Sequence, residues 1–174
     1  MTEHQKYNVL FLCTGNSARS VMAEALLATL GQGRFQTFSA GSRPTGKVNP
    51  FAIEQVAKTG YALSNLRSKS WDEFARPDAP LMDFIVTVCD QAAGEVCPLW
   101  PGHPSSAHWG FYDPAAMEGT DETKRAAFEQ VFQQIKHRVE AFLEVPLERL
   151  DEAAIRAELQ WVGRIDVTAI GTTS

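Results

Sequence analysis

The chain alternates short apolar runs with longer stretches of helical spacing. Tyr7 to Leu12 is a short, mostly apolar run that stops at Cys13, the pattern of a strand buried on both faces. After the turn TGNS, the stretch ARSVMAEALLATLG brings Val21, Met22, Ala25, Leu26 and Leu30 onto one helical face, and Gly31 offers a stop. Phe35 to Ala40 reads as a second strand, closed by Gly41 and the loop SRPTGKV. Asn49 followed by Pro50 reads as an N-cap with proline at the first helical position, opening FAIEQVAKTG. Phe84 to Val88 is a further β-branched run, and it ends at Cys89. Between Cys97 and Pro114 the residues Pro98, Pro101, Pro104, Gly102 and Gly110 predict mostly loop, with a short strand at Ala107 to Trp109. Thr120 to Leu143 is a long amphipathic helix with Phe128, Val131, Phe132, Ile135, Val139 and Phe142 on its core face. Pro146 breaks it, Leu147 to Val162 is a second amphipathic stretch, and the last dozen residues read as a loose tail.

Strands alternating with helices predict a three-layer α/β fold, a four-stranded parallel sheet flanked by helices. Residues 1–145 form the expected domain, and 146–174 a C-terminal helical extension and tail. In such sheets chemistry gathers at the carboxyl ends of the strands. Cys13 and Cys89 both fall there, so the fold itself brings these cysteines together.

A chain of 174 residues is long enough for one domain with a full core. Its 16 basic and 21 acidic residues, net -5, argue against a nucleic-acid partner. No apolar run approaches the roughly 20 residues of a membrane helix, so no membrane partner is expected. The opening MTEHQKYN lacks the basic flank and cleavage site of a signal peptide. Three cysteines are too few for a disulfide scaffold and suit a reducing compartment, so a cytoplasmic location is expected.

The candidate chemistry lies in Cys13-Thr14-Gly15-Asn16-Ser17-Ala18-Arg19-Ser20, between a strand and a helix. The spacing from Cys13 to Arg19 is enough to wrap a loop around one tetrahedral oxyanion. Backbone N–H groups turned inward and the helix N-terminus supply partial positive charge. Arg19 grips two anion oxygens with its planar fork. The same field is expected to lower the Cys13 pKa below that of an ordinary thiol. Gly15 permits the close turn, Asn16 and Ser20 brace the loop, and the Ser20 hydroxyl points at the sulfur. A buried structural cysteine would leave Arg19 and this placement unexplained. A nucleotide P-loop would need a Gly-Lys-Ser/Thr ending, which is missing.

The segment VLFLCTGNSARSVMAEALL resembles the low-molecular-weight tyrosine phosphatase fold. More closely, it resembles the thioredoxin-coupled arsenate reductases built on that fold, whose loops read CTGNS-x-RS followed by MAE. The likeness continues through Phe38-Ser39-Ala40-Gly41, Val48-Asn49-Pro50, Val86-Thr87-Val88-Cys89, Cys97-Pro98, and His108-Trp109-Gly110 with Asp113-Pro114-Ala115. It implies reduction of arsenate to arsenite, with phosphate or sulfate as competing anions and thioredoxin or glutaredoxin/glutathione as electron donor. By resemblance Asp113 is the carboxylic acid that protonates the leaving oxygen. Cys89 and Cys97 are the further thiols of a disulfide relay, which a phosphatase does not need. The alternatives are a low-molecular-weight tyrosine phosphatase and a noncatalytic oxyanion sensor. Against the phosphatase, Thr14 and Val21 stand where phosphatases of this fold commonly carry Leu and Pro, and beside Asp113 only Phe111 and Tyr112 offer an aromatic ring.

No cofactor or metal is expected. A zinc site from Cys89, Cys97, His103 and His108 lacks a Cys-x2-Cys knuckle. Some family members hold potassium near the loop with an Asn, a Glu, a Ser and an Asp. Asn16, Glu24 and Ser39 match that set, but Lys69 stands at the Asp position, where its ammonium would replace the cation.

Overall fold

The computed structural model describes residues 6–89, 100, 102 and 104–170. Its sheet is four-stranded and entirely parallel, in spatial order β2-β1-β3-β4. The strands are β1 (Tyr7–Cys13), β2 (Phe35–Gly41), β3 (Phe84–Thr87) and β4 (Ser105–His108). Among the described residues the helices are α1 (Arg19–Leu30), α2 (Pro50–Ala57), α3 (Asp121–Leu143) and α4 (Glu152–Arg164).

Central strand β1 explains why its sequence shows so little polar alternation. Val9 and Phe11 enter one core with α1, α2, α3 and α4, while Leu10 and Leu12 enter a second core on the opposite face. Both faces of the strand are therefore dry. The second core is built with Trp71, Phe74 and Met82 from the segment between α2 and β3. That segment contains the short 3₁₀ turns Leu63–Asn65 and Trp71–Phe74, whose spacing carries no long period to read from sequence.

Helix α1 is buried at every position from Ser20 to Leu27, because it packs against β1, β2, α2 and α3 together. The Asn49 side chain accepts from Phe51 N at 2.9 Å, the N-cap expected ahead of Pro50. Thr120 caps α3 in the same way, accepting from Thr123 N at 3.2 Å. The short strand foreseen at Ala107 to Trp109 begins earlier, at Ser105, and ends before Trp109.

The reading of the last dozen residues as a loose tail is corrected as far as residue 170. Val167 is buried, Ile165 and Ile170 pack against the main core, and the carbonyls of Gly163 and Ile165 accept hydrogen bonds from Arg138. Helix α4 lies on edge strand β4. The chain after α4 therefore contributes apolar surface that a polar average conceals. Residues 171–174 lie outside the described residues.

Candidate active site

The parallel register places Cys13 at the carboxyl end of β1, opposite Gly41 of β2. On the other side Val88 N donates to Leu12 O at 2.8 Å, which carries Cys89 to the end of the neighbouring strand line. Thr14 Oγ1 lies 3.6 Å from Cys89 Sγ, linking the start of the loop to the second thiol. Both cysteines are buried thiols. Cys97 lies outside the described residues, as does His103, so the third relay thiol and the zinc alternative both fall there.

The loop from Thr14 to Ala18 is shaped by what its carbonyls touch. Thr14 O accepts from Arg43 N at 2.9 Å, Gly15 O from Thr45 N at 3.1 Å and Ser17 O from Asn49 N at 2.8 Å. Ser68 Oγ also donates to Gly15 O at 3.0 Å. A trans peptide points its N–H opposite its carbonyl, so carbonyls drawn outward turn amides toward the interior of the loop. Ala18, which precedes α1, makes no side-chain cap hydrogen bond, so no side chain of that residue competes for the first amides of the helix.

The left-handed position in this turn belongs to Asn16, at φ 46°, rather than to Gly15. Asparagine tolerates that conformation because its side chain bonds locally. Here Asn16 is fully buried, its Oδ1 accepts from Lys69 N at 2.9 Å, and its Nδ2 donates to Ser20 Oγ at 2.8 Å. Ser20 Oγ in turn stands 2.9 Å from Cys13 Sγ. The expected bracing by Asn16 and Ser20 is thus one continuous chain ending on the sulfur.

Gly41 is a site residue that sequence reasoning treated only as a strand terminator. A Cβ there would fall 2.4 Å from Thr14 O and 2.8 Å from Cys13 O. Only glycine lets β2 pass so close behind the loop.

The expected low pKa of Cys13 needs correction. Burial pushes the thiol up from its ordinary value and outweighs the groups that oppose it, the Ser20 side-chain and backbone hydrogen bonds and the Arg19 charge; neighbouring Cys89 pushes it up further. The lowering groups anticipated from the sequence are in place, but desolvation at the end of a central strand exceeds them.

Arg19 and Asp113 meet at the other side of the loop. Arg19 Nη1 donates to Phe111 O at 3.0 Å, and Nη2 lies 3.6 Å from Asp113 Oδ2. Asp113 also caps the short turn Pro114–Ala116, accepting from Ala115 N at 3.0 Å. Of the neighbouring aromatic residues, Phe111 is buried and Tyr112 is exposed.

The polar cluster behind the loop contains each residue matched to the potassium set. Glu24 accepts from Ser39 Oγ and from Tyr61 OH, both at 2.6 Å. Burial raises the Glu24 pKa against the pull of those hydrogen bonds and of Lys69. Tyr61 is held protonated well above its ordinary range by burial and by its acceptor Glu24. Lys69 is buried and donates from Nζ to Arg67 O at 3.1 Å; burial lowers its pKa while the Glu24 charge holds it up. The Lys69 side chain therefore stands beside the residues matched to the potassium set. Among the described residues no group of three or more His, Cys, Asp or Glu is arranged to hold a metal ion.

The profile of the low molecular weight phosphotyrosine protein phosphatase family matches residues 8–158. An arsenate reductase of Halalkalibacterium halodurans is 40% identical over 136 residues, covering 78% of this chain and 94% of the relative. The arsenate reductase of Bacillus subtilis is 39% identical over the same length and shares. A solved arsenate reductase in its oxidized state superposes with a TM-score of 0.62 at 28% identity, covering 78% of this chain and 95% of that one. Both sequence relatives described above are arsenate reductases, and the chain belongs to the low molecular weight phosphotyrosine protein phosphatase family.

Proposed function

We propose that this chain reduces arsenate to arsenite with electrons drawn from its own thiols. The observation that carries the reading is the pair Cys13 and Cys89, two buried thiols at the ends of neighbouring strands beside one anion loop. Hydrolysis of a phosphate ester on this fold needs only Cys13, Arg19 and Asp113. A two-electron reduction needs a second thiol within reach of the first.

In this reading the loop amides and Arg19 hold arsenate above Cys13. Cys13 gives its thiol proton to an arsenate oxygen as the dianion enters, and the thiolate attacks arsenic. Asp113 gives its proton to the departing oxygen, so an S–As bond forms and an As–O bond breaks with loss of water. Cys89 then attacks Cys13 Sγ, and its thiol proton passes to an oxygen of the departing arsenite. The S–As electron pair stays with arsenic, which leaves as arsenite, and a Cys13–Cys89 disulfide remains. Cys97 attacks Cys89, restores the Cys13 thiolate and leaves a Cys89–Cys97 disulfide for an external thiol donor of the thioredoxin or glutaredoxin/glutathione kind. Phosphate and sulfate compete, because the loop reads tetrahedral shape and charge rather than the central atom. Slow hydrolysis of aryl phosphates follows for the same reason.

The test is arsenate-dependent NADPH oxidation, with thioredoxin and glutaredoxin systems compared side by side and arsenite measured directly. One arsenite per NADPH is expected with at least one donor. Hydrolysis of p-nitrophenyl phosphate without arsenite formation under either donor would make the protein a phosphatase instead.

A further inference from the structure

Arg138, on α3, is only 6% exposed, yet its guanidinium reaches three backbone carbonyls. Nη1 donates to Gly110 O at 2.5 Å, and Nη2 donates to Gly163 O at 3.1 Å and to Ile165 O at 2.9 Å. The guanidinium carbon also sits 4.7 Å from the centre of the Phe111 ring. These partners belong to two segments, the loop that follows β4 and the chain at the end of α4.

The second of those segments is itself pressed against the first. Trp109 Nε1 donates to Leu159 O at 3.0 Å. A Cβ on Gly163 would fall 2.2 Å from His108 O and 2.9 Å from Trp109 Cδ1, so α4 approaches at a distance that only glycine permits. The loop held in this way leads straight into the site. Phe111 O receives Arg19 Nη1, and two residues later Asp113 faces Arg19 Nη2.

Among the described residues Asp113 belongs to neither core. Its side chain is 44% exposed, and its carboxylate is anchored by Ala115 N and faces Arg19 across 3.6 Å. Its position therefore depends on the backbone immediately before it, which Arg138 holds at Gly110 and covers at Phe111. We infer that Arg138, together with the carbonyls of Gly163 and Ile165, is a positioning residue for Asp113 and holds the acid in register with Arg19. This rests on the reading of Asp113 as the proton donor.

A misplaced acid has a kinetic signature that general destabilisation lacks. As the sulfur–phosphorus bond forms and the phosphorus–oxygen bond breaks, a strongly basic leaving oxygen must receive the Asp113 proton. A weakly basic one departs as the anion unaided. The experiment compares kcat/KM, which ends at departure of the phenol and so excludes the later hydrolysis of the shared Cys13–phosphate intermediate, for phenyl phosphate and 2,4-dinitrophenyl phosphate in the full chain and in Arg138→Met, Arg138→Lys and Asp113→Asn. Arg138→Met should lose about tenfold or more on phenyl phosphate and no more than about twofold on the dinitrophenyl ester. Arsenate turnover should follow phenyl phosphate, since its leaving oxygen is a strongly basic hydroxide that departs as water only on taking the Asp113 proton. Arg138→Lys, which keeps a charge and one donor group, should recover part of the loss, and it carries the test alone if Arg138→Met does not fold. Equal losses on both esters in the Arg138 variants, with Asp113→Asn still discriminating, overturn the positioning role and leave the acid reading intact. No change in either Arg138 variant overturns it as well. If Asp113→Asn itself loses both activities equally, the acid reading falls and the positioning role falls with it.

Discussion

Ser20 Oγ lies 2.9 Å from Cys13 Sγ and is itself held by Asn16 Nδ2 at 2.8 Å, so once the thiol loses its proton the hydroxyl is placed to donate to the sulfur. With the amide donating to Ser20 Oγ, the oxygen's remaining polar partner is the thiol or thiolate. This makes Ser20 the main group that opposes burial at Cys13. Removing it costs the thiolate more than the neutral thiol, because a hydrogen bond to the charged form is the stronger one. Ser20→Ala should therefore raise the Cys13 pKa further and slow its alkylation by iodoacetamide at neutral pH by about tenfold. The rising limb of activity against pH should move to higher pH in the same variant. Peptide mapping of the alkylated protein, with the rate followed against pH, checks both; an unchanged or faster rate would show that the hydroxyl does not stabilise the thiolate.

The thiols separate the two activities expected of this loop. Cys89→Ser should keep p-nitrophenyl phosphate hydrolysis, because hydrolysis needs no electrons, and should release little arsenite unless a small thiol is added. Cys97→Ser should complete one turnover, releasing about one arsenite per enzyme, and then stop with a Cys13–Cys89 disulfide visible by mass spectrometry. Turnover of Cys97→Ser at the parent rate with the same protein donor would replace the three-cysteine relay with a two-cysteine scheme.

Gly41 should be nearly irreplaceable. In Gly41→Ala the new methyl meets Thr14 O and Cys13 O, backbone atoms that cannot swing aside. A destabilisation of about 1–3 kcal/mol is expected from the overlap. Loss of oxyanion affinity should exceed what partial unfolding explains, since the displaced carbonyls define the loop. Phosphate binding by calorimetry alongside thermal melting distinguishes the two effects. Full phosphate affinity in the variant would mean that the loop tolerates displacement.

Glu24 should make stability depend on pH in a predictable direction. Burial raises its pKa in the folded protein above the ordinary 4.5. As pH rises past that ordinary value, the unfolded chain releases a proton that the folded chain still holds. Stability contributed by the protonated carboxyl is therefore lost progressively until pH passes the raised folded value. Glu24→Gln cannot titrate and can still bond to Ser39 and Tyr61. Its unfolding midpoint should gain on the parent between pH 4.5 and neutrality, as measured by denaturant titration at each pH. A gap between the two proteins that stays constant over that range would refute the assignment.

Much of the site was legible in the chain because its parts are close in sequence. Cys13, Arg19 and Ser20 fall within one strand–loop–helix unit, whose apolar run and helical periodicity mark its borders. A parallel sheet carries its chemistry at the strand ends, so Cys89 could be placed near Cys13 before any contact was known. Three other features needed the tertiary structure. The need for glycine at residues 41 and 163 comes from a backbone that approaches from a distant segment, and nothing local marks it. The packed chain after α4 was hidden because its anchors are carbonyls, which every residue type presents alike, gathered by a single arginine from another helix. The direction of the Cys13 shift turned on how completely the surrounding strands exclude water. A motif names the charges that act on a thiol, but only the assembled core determines how much solvation it has lost.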